Sequence, residues 1–216
     1  MIPAQVFCRI VRFTGESGRA GAGFFVDGPQ GLCLVTAAHN TSRDREEYVE
    51  IQQAWGDLAP VGALLERLGD VDAPLDVAAY HVPDNLRPAW YVGSVPVSGD
   101  GLVWGQDCFI LGYPFLQAGD AFGMGSQLPL IKKAVISGRI LRNDSEFWII
   151  DTHANPGFSG GPLVYNANGT TEYRFAGIVI QAMTGPTVEG GDTRSPAGFT
   201  YCLASRHIES LLGQGA

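Results

Sequence analysis

NPGFSGGPLVY, the segment Asn155–Tyr165, sets Ser159 between Gly157 and the pair Gly160-Gly161, with Pro162 directly behind. Glycines on both sides let the backbone fold tightly around the hydroxyl and aim amide N–H groups at a neighbouring point. A hydroxyl beside such a donor pocket is what acyl transfer through a serine nucleophile requires. The segment therefore predicts a catalytic serine, and its partners would be a histidine and a carboxylate elsewhere in the chain.

The composition is that of a folded, acidic and glycine-rich protein. The 216 residues are 45% hydrophobic and 17% charged, which is typical of a globular chain long enough to bury a core. The 29 glycines and 13 prolines favour many turns, and therefore short strands over long helices. A net charge of −8 argues against a nucleic-acid partner, because little positive charge is left to neutralise phosphates. No apolar run reaches the ~18 residues of a membrane span, so no membrane partner is expected.

Short β-type runs recur along the whole chain, separated by turn signals such as Asp27-Gly28-Pro29 and Asn168-Gly169. Evenly spaced strands without intervening amphipathic helices indicate antiparallel barrels or a sandwich. The predicted strands are Gln5–Phe13, Ala22–Asp27, Leu32–Ala37, Tyr48–Gln53, Val77–Val82, Asp107–Leu111, Leu130–Leu141, Phe147–Asp151, Gly161–Tyr165, Tyr173–Gln181 and Gly198–Leu203. Two helices are predicted as well, at Pro60–Leu68 and at Ser205–Leu212, the second of which opens with a serine cap.

The chain is expected to form a single domain of two halves. Val82–Gly101 holds three prolines and few apolar runs, and is therefore interpreted as a connector. We place the N-terminal barrel at 1–90, the connector at 91–101, the C-terminal barrel at 102–204 and the C-terminal helix at 205–213. The glycine-rich segment Gln117–Gln127 is predicted to be a mobile loop.

The four cysteines lie far apart and lack metal-ligand spacing. They are Cys8, Cys33, Cys108 and Cys202. The N-terminal residues show no signal peptide, so free buried thiols are expected rather than disulfides, together with a cytoplasmic location. Neither a metal nor an organic cofactor is implied.

His39 and Asp76 are the candidate partners of Ser159. His39 follows the apolar run Leu34–Ala38, and a histidine held at the end of a buried strand suits a general base, although such histidines are more often simple core residues. Asp76 stands at the start of the apolar run Val77–Tyr80, where a buried carboxylate needs a partner such as a histidine N–H. The less favoured titratable residues are Asp72, His81 and His207.

Three motifs resemble those of trypsin-like serine proteases and occur in the family's order. They are the histidine motif LVTAAH at Leu34–His39, the aspartate motif LDVAAY at Leu75–Tyr80 and the serine motif GFSGGP at Gly157–Pro162. Within the family the closer likeness is to the bacterial HtrA-like branch, without its PDZ domains. The segments that resemble that branch are Gly21–Val26, Ile110–Pro114, Asp151–Leu163 and Gly198–Phe199. The likeness extends from about Gly21 to Leu212.

The resemblance implies an all-β, chymotrypsin-like fold: two six-stranded antiparallel β-barrels followed by a short helix. It also implies a serine endopeptidase that acts on polypeptides through an acyl-enzyme. Ser159 would attack the carbonyl, His39 would remove its proton and Asp76 would orient the histidine. The backbone N–H groups of Gly157 and Ser159 would form the oxyanion hole.

By the same matching, the specificity pocket is walled by Ile180, Gln181 and Ala182 and is bordered by His153, Ala154 and Gly198. Its mostly apolar lining favours a medium-sized apolar substrate side chain. His153 leaves an acidic side chain as the alternative. Neither Asp nor Glu occurs in this set, so a trypsin-like preference for Lys or Arg is not expected.

Two residues depart from the trypsin pattern. Asn40 stands where secreted trypsins carry a cysteine, so the disulfide of that loop cannot form. Phe158 replaces the aspartate that receives the new amino terminus when a trypsin zymogen is cleaved, and activation by N-terminal clipping is therefore not expected. An aromatic side chain at this position either is buried to hold the loop or marks a loop that rests in an inactive form.

Two other interpretations are compatible with the sequence. Gly157–Gly161 satisfies the G-x-S-x-G pattern of α/β-hydrolases, and Asp192 and His207 follow in that family's order. That fold needs a helix directly after the serine, however, and Pro162 before a strand-like run is a poor helix start. The second alternative is a catalytically silent, protease-like binding or sensing module. A regulatory partner protein would suit a lone cytoplasmic protease, whose activity must be restrained.

Overall fold

The computed structural model describes residues 2–42, 44–54, 59–88, 93–116, 127–167, 170–186 and 194–213. Over these segments the chain forms a six-stranded antiparallel sheet followed by a closed six-stranded barrel and a short C-terminal helix. The prediction of an all-β, chymotrypsin-like fold is confirmed. The helices in the described segments are all too short to cross a membrane. The predicted loop Gln117–Gln127 and the residue Asp192 lie outside the described residues, except for Gln127 itself.

The N-terminal half begins with one helical turn, α1 (Ala4–Phe7), and continues as a curled sheet. Its strands are β1 (Ile10–Thr14), β2 (Ala20–Gly28), β3 (Gly31–Thr36), β4 (Glu46–Gln53), β5 (Val61–Glu66) and β6 (Ala78–His81), in the order β5-β4-β1-β2-β3-β6. The two sheet edges meet after β5, where the Leu68 N–H donates to the Ala79 carbonyl at 2.7 Å. Because β3 and β6 are paired neighbours, the residues that flank them, His39 and Asp76, are brought to the same end of the sheet.

The C-terminal half is a closed barrel with the order β10-β11-β12-β9-β8-β7. Its strands are β7 (Asp107–Gly112), β8 (Leu130–Arg142), β9 (Ser145–Ile150), β10 (Pro162–Asn166), β11 (Tyr173–Pro186) and β12 (Arg194–Ala204), and helix α2 (Ser205–Gly213) follows. Pairing of β10 with β7 closes the barrel, with Leu163 opposite Ile110. The segment between β9 and β10 carries Ser159 and lies at the rim of the barrel.

Two local predictions were wrong. Pro60–Leu68 is not a helix but contains strand β5, which pairs with β4 so that Leu64 lies opposite Tyr48. Pairing with the preceding strand outweighs the helix propensity of this leucine-rich run, which is worth only tenths of a kcal/mol per residue. At the N-terminus, the run Gln5–Phe13 is partly helical, because α1 precedes the first strand, which begins only at Ile10.

The largest buried cluster joins the two halves instead of lying within either one. Phe24 of β2 meets Phe175 of β11 edge-to-face, with ring centroids 4.9 Å apart. Ile178 of β11 and Ile208 of α2 belong to the same cluster. Each half also has an interior of its own. Because apolar contact fixes the halves against each other, side chains from both can form one site at the seam.

All four cysteines are buried and free, as predicted. Burial raises the pKa of Cys33 to about 11 and that of Cys108 to about 12, and the nearby carboxylates of Asp27 and Asp107 add to these effects. Burial also raises the pKa values of Cys8 and Cys202. The thiols therefore stay protonated at neutral pH and offer no nucleophile in competition with a serine.

Helix α2 is anchored to the barrel through His207. The buried ring accepts a hydrogen bond at Nε2 from the backbone N–H of Glu146, at 3.0 Å. Burial lowers the pKa of His207, and the adjacent Arg206 lowers it further, while Glu146 opposes both effects. The native structure therefore favours the neutral ring, which is the form that can accept this bond.

Acidification should therefore weaken the native state through His207. Since its pKa is lower in the folded chain than in the unfolded one, its stabilising contribution is complete above the ordinary histidine pKa of about 6.5 and is lost as pH falls below it. We expect the free energy of unfolding in urea to fall more steeply between pH 7.5 and 5.5 for the wild type than for His207→Gln, whose amide oxygen accepts without titrating. Parallel pH profiles for the two proteins would contradict the assignment.

Candidate active site

His39 is held in a single 3-10 turn, Ala38–Asn40, that follows the buried strand β3. Its backbone N–H donates to Asp76 Oδ1 at 2.9 Å, and its ring Nδ1 lies 2.7 Å from Asp76 Oδ2. A carboxylate can only accept, so Nδ1 carries the ring proton and Nε2 is left as an acceptor. Arg19 steadies the turn from the other side by donating to the His39 carbonyl at 3.0 Å.

Ser159 comes from the opposite half and meets the free nitrogen of His39. The distance from Ser159 Oγ to His39 Nε2 is 2.6 Å. The residue order of Asp76, His39 and Ser159 along this hydrogen-bonded chain is that of a catalytic triad. The structure thus brings together the three residues that the sequence singled out.

The serine turn is packed directly against the N-terminal half. The Ser159 carbonyl accepts from the Ala22 N–H at 2.8 Å and from the Asn40 side-chain amide at 3.2 Å. Gly160 has a φ of +83°, and a Cβ there would lie 2.1 Å from the Ala22 carbonyl oxygen. Only glycine fits this close approach, which explains why a glycine follows the serine. Asn40, at the cysteine position of secreted trypsins, supplies a hydrogen bond across the seam.

The residues before the serine form a tight turn from Asn155 to Phe158. The Phe158 N–H donates to the Asn155 carbonyl at 3.1 Å, and Gly157 has a φ of +101°. Proline fixes φ near −65° at the second position of the turn, and a positive φ at the third position defines type II. The Pro156-Gly157 pair is therefore the sequence signature of this turn.

Both carbonyls at the centre of this turn are held by the segment that follows β7. The Phe115 N–H donates to the Pro156 carbonyl at 2.9 Å, and the Tyr113 N–H donates to the Gly157 carbonyl at 3.0 Å. Because C=O and N–H point in opposite directions in a trans peptide, the Gly157 N–H points away from Phe115. In the described part of the chain, neither this N–H nor that of Ser159 donates to a protein acceptor.

Phe115 adopts a backbone conformation that is rare for its residue type. Its φ of +52° lies in the left-handed region, which costs an aromatic residue on the order of 1–3 kcal/mol. Its side chain is 65% exposed, so side-chain packing does not explain the conformation. The hydrogen bond to Pro156 does explain it, because this geometry brings the Phe115 N–H to the turn. The sequence marks Ile110–Pro114 as a motif but gives no sign of this role.

Phe158 is buried, with 1% of its surface exposed, and belongs to the interior cluster of the C-terminal barrel. The sequence left open whether Phe158 is buried to hold the loop or marks a loop that rests in an inactive form. In this structure the side chain is buried and anchors the loop. The loop is thus pinned into the barrel by apolar packing at Phe158, where trypsin has an aspartate.

A cavity of about 420 Å³ opens beside the serine, lined by His153, Ala154, Asn155, Pro156, Ser159, Val179, Ile180, Gln181 and Ala182. No carboxylate is among these lining residues. Five of the six residues expected at the specificity pocket line it. The exception is Gly198, which lies two residues before Thr200, the residue that pairs with Ala182, and does not line the cavity. Thr200 was not anticipated; its hydroxyl accepts from the Ala154 N–H at 2.9 Å and so fixes the pocket wall.

A second cavity, of about 250 Å³, has Asp76 among its lining residues. Leu75 lines it from the N-terminal half of the chain, and Ile180 and Tyr201 line it from the C-terminal half. Ile180 lines both cavities, so a chain extended along β11 would pass from one cavity to the other.

The α/β-hydrolase interpretation is excluded by the fold. The chain continues from Ser159 into the antiparallel strand β10 and not into a helix. His207, the histidine that this alternative needs, is bonded to the Glu146 backbone.

Solved structures with this fold include two forms of one protease and a member of the HtrA type. The Rv3671c protease of M. tuberculosis is 21% identical in its inactive form, with a TM-score of 0.64 over 99% of this chain and 92% of that chain. Its active form is 20% identical, with a TM-score of 0.64 over 98% and 82% of the respective chains. The HtrA-type protease AlgW with a tripeptide is 18% identical, with a TM-score of 0.65 over 98% and 62%. Similarity at this level of identity shows the fold alone.

Family assignment comes from the sequence itself. No curated protein matches this chain. The family model described as the trypsin-like peptidase domain, however, matches residues 21–171, which contain His39, Asp76 and Ser159. The match covers well over half of the sequence and includes the strands on both sides of the seam. The chain therefore belongs to the family of trypsin-like peptidase domains.

Proposed function

We propose that this protein is a serine endopeptidase that hydrolyses peptide bonds through an acyl-enzyme on Ser159. One observation carries the proposal: the unbroken hydrogen-bonded chain from Asp76 to His39 at 2.7 Å and from His39 to Ser159 at 2.6 Å. Family membership supports the same reaction class, and polypeptides are the substrates that it implies.

In the first half of the reaction, Ser159 Oγ attacks the carbonyl carbon of the substrate while its proton passes to His39 Nε2. Asp76 stabilises the imidazolium that results. The negative oxygen of the tetrahedral intermediate is bound by the N–H groups of Gly157 and Ser159, each worth about 3–4 kcal/mol in comparable sites. The C–N bond then breaks, and His39 gives its proton to the leaving amine.

In the second half, water attacks the acyl-enzyme. His39 accepts a proton from the water, a second tetrahedral intermediate forms, and the C–O bond to Ser159 breaks. The proton returns to Ser159 Oγ, and the acid product leaves. No group outside the described triad and oxyanion hole is needed to balance these steps.

The type II turn supports an enzyme over a binding module. In a collapsed oxyanion hole the Pro156–Gly157 peptide would be rotated. The carbonyl of this peptide, however, accepts a hydrogen bond from the Phe115 N–H, and the next carbonyl, that of Gly157, accepts one from the Tyr113 N–H. Proline followed by glycine also favours type II intrinsically. These contacts favour the turn in which the Gly157 N–H faces the proposed oxyanion hole, and so they support a protease.

The cavity beside Ser159 suits a medium-sized apolar side chain on the substrate. Its lining includes Ala154, Val179 and Ile180, with His153 as the titratable exception. A substrate backbone would pair with β11 near Ile180–Ala182 by strand addition. Profiling with a peptide library should show cleavage mainly after apolar residues, and cleavage mainly after Lys or Arg would contradict this pocket assignment.

The enzyme proposal is tested by covalent labelling with a fluorophosphonate probe, followed by mass spectrometry of the digested protein. We expect a single adduct on Ser159, none in Ser159→Ala, and a large loss of labelling in His39→Ala. Folded wild-type protein that takes up no probe and cleaves no peptide in the library would instead favour the protease-like binding module.

A further inference from the structure

Lys132 is not used by the mechanism above, yet it contacts the loop that carries the oxyanion hole. It lies on β8, opposite Ile110 of β7. Its ammonium donates to the His153 carbonyl at 2.6 Å and to Asn155 Oδ1 at 2.8 Å. Both acceptors belong to the irregular segment between β9 and β10, so a barrel strand is tied to this loop by one side chain.

The same ammonium lies 5.6 Å from the centroid of the Phe158 ring. A cation within about 6 Å of a ring is attracted by the π electrons. Asn155 and Phe158 are the first and last residues of the type II turn, and they are already joined by a hydrogen bond of 3.1 Å. Lys132 therefore contacts both ends of the turn whose centre presents the Gly157 N–H.

The surroundings of Lys132 differ from those of an ordinary surface lysine. Its partners are a carbonyl, an amide oxygen and an aromatic ring, and within the described segments it forms no ion pair. Its neighbour Lys133, by contrast, pairs with Asp107 at 2.6 Å, and both of those side chains are more than half exposed. Hydrogen bonds from a charged donor are stronger than those between neutral groups. The contacts of Lys132 thus order a loop, whereas those of Lys133 contribute little.

We propose that Lys132 is a positioning residue for the oxyanion hole. Its ammonium fixes Asn155 and Phe158, and the peptide between Pro156 and Gly157 consequently keeps its N–H directed at the hole. Lys132 touches no reacting atom and acts only through the turn. In its absence, fewer contacts oppose rotation of that peptide, which would convert the turn to type I and withdraw a donor. This inference rests on the proposed peptidase function.

Steady-state kinetics of three variants test the proposal. Because the oxyanion hole acts in the transition state, Lys132→Met should lower kcat by roughly tenfold to a hundredfold, less than the 10²–10³-fold loss of a whole donor. KM should change by less than about twofold. Lys132→Arg, which keeps a cation, should recover most of the loss. Lys133→Met is the matched control on the same strand and should leave kcat and KM unchanged.

The affinity for a transition-state mimic distinguishes a positioning role of Lys132 from general damage to the protein. A peptide aldehyde forms a tetrahedral adduct when Ser159 Oγ adds to its carbonyl carbon, so its binding depends on the oxyanion hole. Lys132→Met should weaken the aldehyde by the same factor as kcat/KM, while binding of the corresponding product acid stays the same. Equal kinetics for Lys132→Met and Lys133→Met would overturn the proposal. So would a defect confined to KM.

Nuclear magnetic resonance distinguishes failure of this proposal from failure of the peptidase function. If wild-type protein neither reacts with the fluorophosphonate nor cleaves peptides, the proposed function fails. The Gly157 amide still reports on the turn. A changed ¹⁵N shift at Gly157 in Lys132→Met, but not in Lys133→Met, would support the positioning role. An unchanged Gly157 amide in both variants would refute it.

Discussion

Replacing Ser159 by alanine should lower kcat on the order of 10⁶-fold, and adding His39→Ala to that variant should cost almost nothing more. The two side chains act as one unit, since His39 Nε2 at 2.6 Å has no proton to remove once Ser159 Oγ is gone. The measurement is steady-state hydrolysis of a chromogenic peptide ester by each single variant and by the double variant. Residual turnover about 10³–10⁴-fold above water should persist, because the oxyanion hole remains.

Unfolding in urea provides the control for this series. Neither side chain is fully buried, so both variants should keep wild-type stability and the kinetic losses should belong to the chemistry. If the two single losses instead multiplied in the double variant, Ser159 and His39 would act independently and the triad assignment would be wrong.

Replacing Asp76 by asparagine should lower kcat by about 10⁴-fold while the geometry stays nearly intact. The asparagine oxygen can still accept from the His39 backbone N–H, now at 2.9 Å from Oδ1. Its amide, however, would donate to Nδ1, which leaves the ring proton on Nε2. That tautomer cannot take the proton of Ser159, so the base is lost although the side chain is in place.

Asp72→Asn is the matched control for this second prediction. Asp72 is another aspartate of the same loop region; its side chain is exposed, and among the described residues it forms no hydrogen bond with His39. Its replacement should leave kcat and KM unchanged in the same ester assay. A similar loss in both variants would indicate that net charge near the site, and not the tautomer of His39, controls the rate.

Local sequence signals were sufficient for the three residues of the proposed triad and for most strands. His39 and Asp76 each adjoin an apolar strand, and Ser159 lies among glycines, of which Gly160 is required by its close approach to the other half. The strand β5 could not be predicted in this way. Its residues favour a helix locally, and only the pairing of Leu64 with Tyr48 on the preceding strand makes them a strand.

The conformation of the type II turn from Asn155 to Phe158 also lay beyond sequence reasoning. Phe158 was compatible with both a formed and an inactive loop. Which of the two conformations the loop adopts depends on contacts between segments that are distant in sequence. The N–H of Phe115 and the ammonium of Lys132 reach the turn from two other parts of the barrel. The Pro156-Gly157 pair was the one local signal that could have indicated a type II turn.

The connector before β7 adds a parallel bridge to the C-terminal barrel, with Val97 beside Phe175 and the Ser98 N–H donating to the Phe175 carbonyl at 3.0 Å. Just beyond it, Gly101 is exposed and has a φ of +80°. A chain severed after Gly101 would leave His39 on the N-terminal fragment and Ser159 on the C-terminal one. The connector would stay attached to the N-terminal fragment and could pair with Phe175 of the other. Such a split protein would report its own reassembly, because the rate of hydrolysis would be proportional to the number of correctly rejoined pairs of halves.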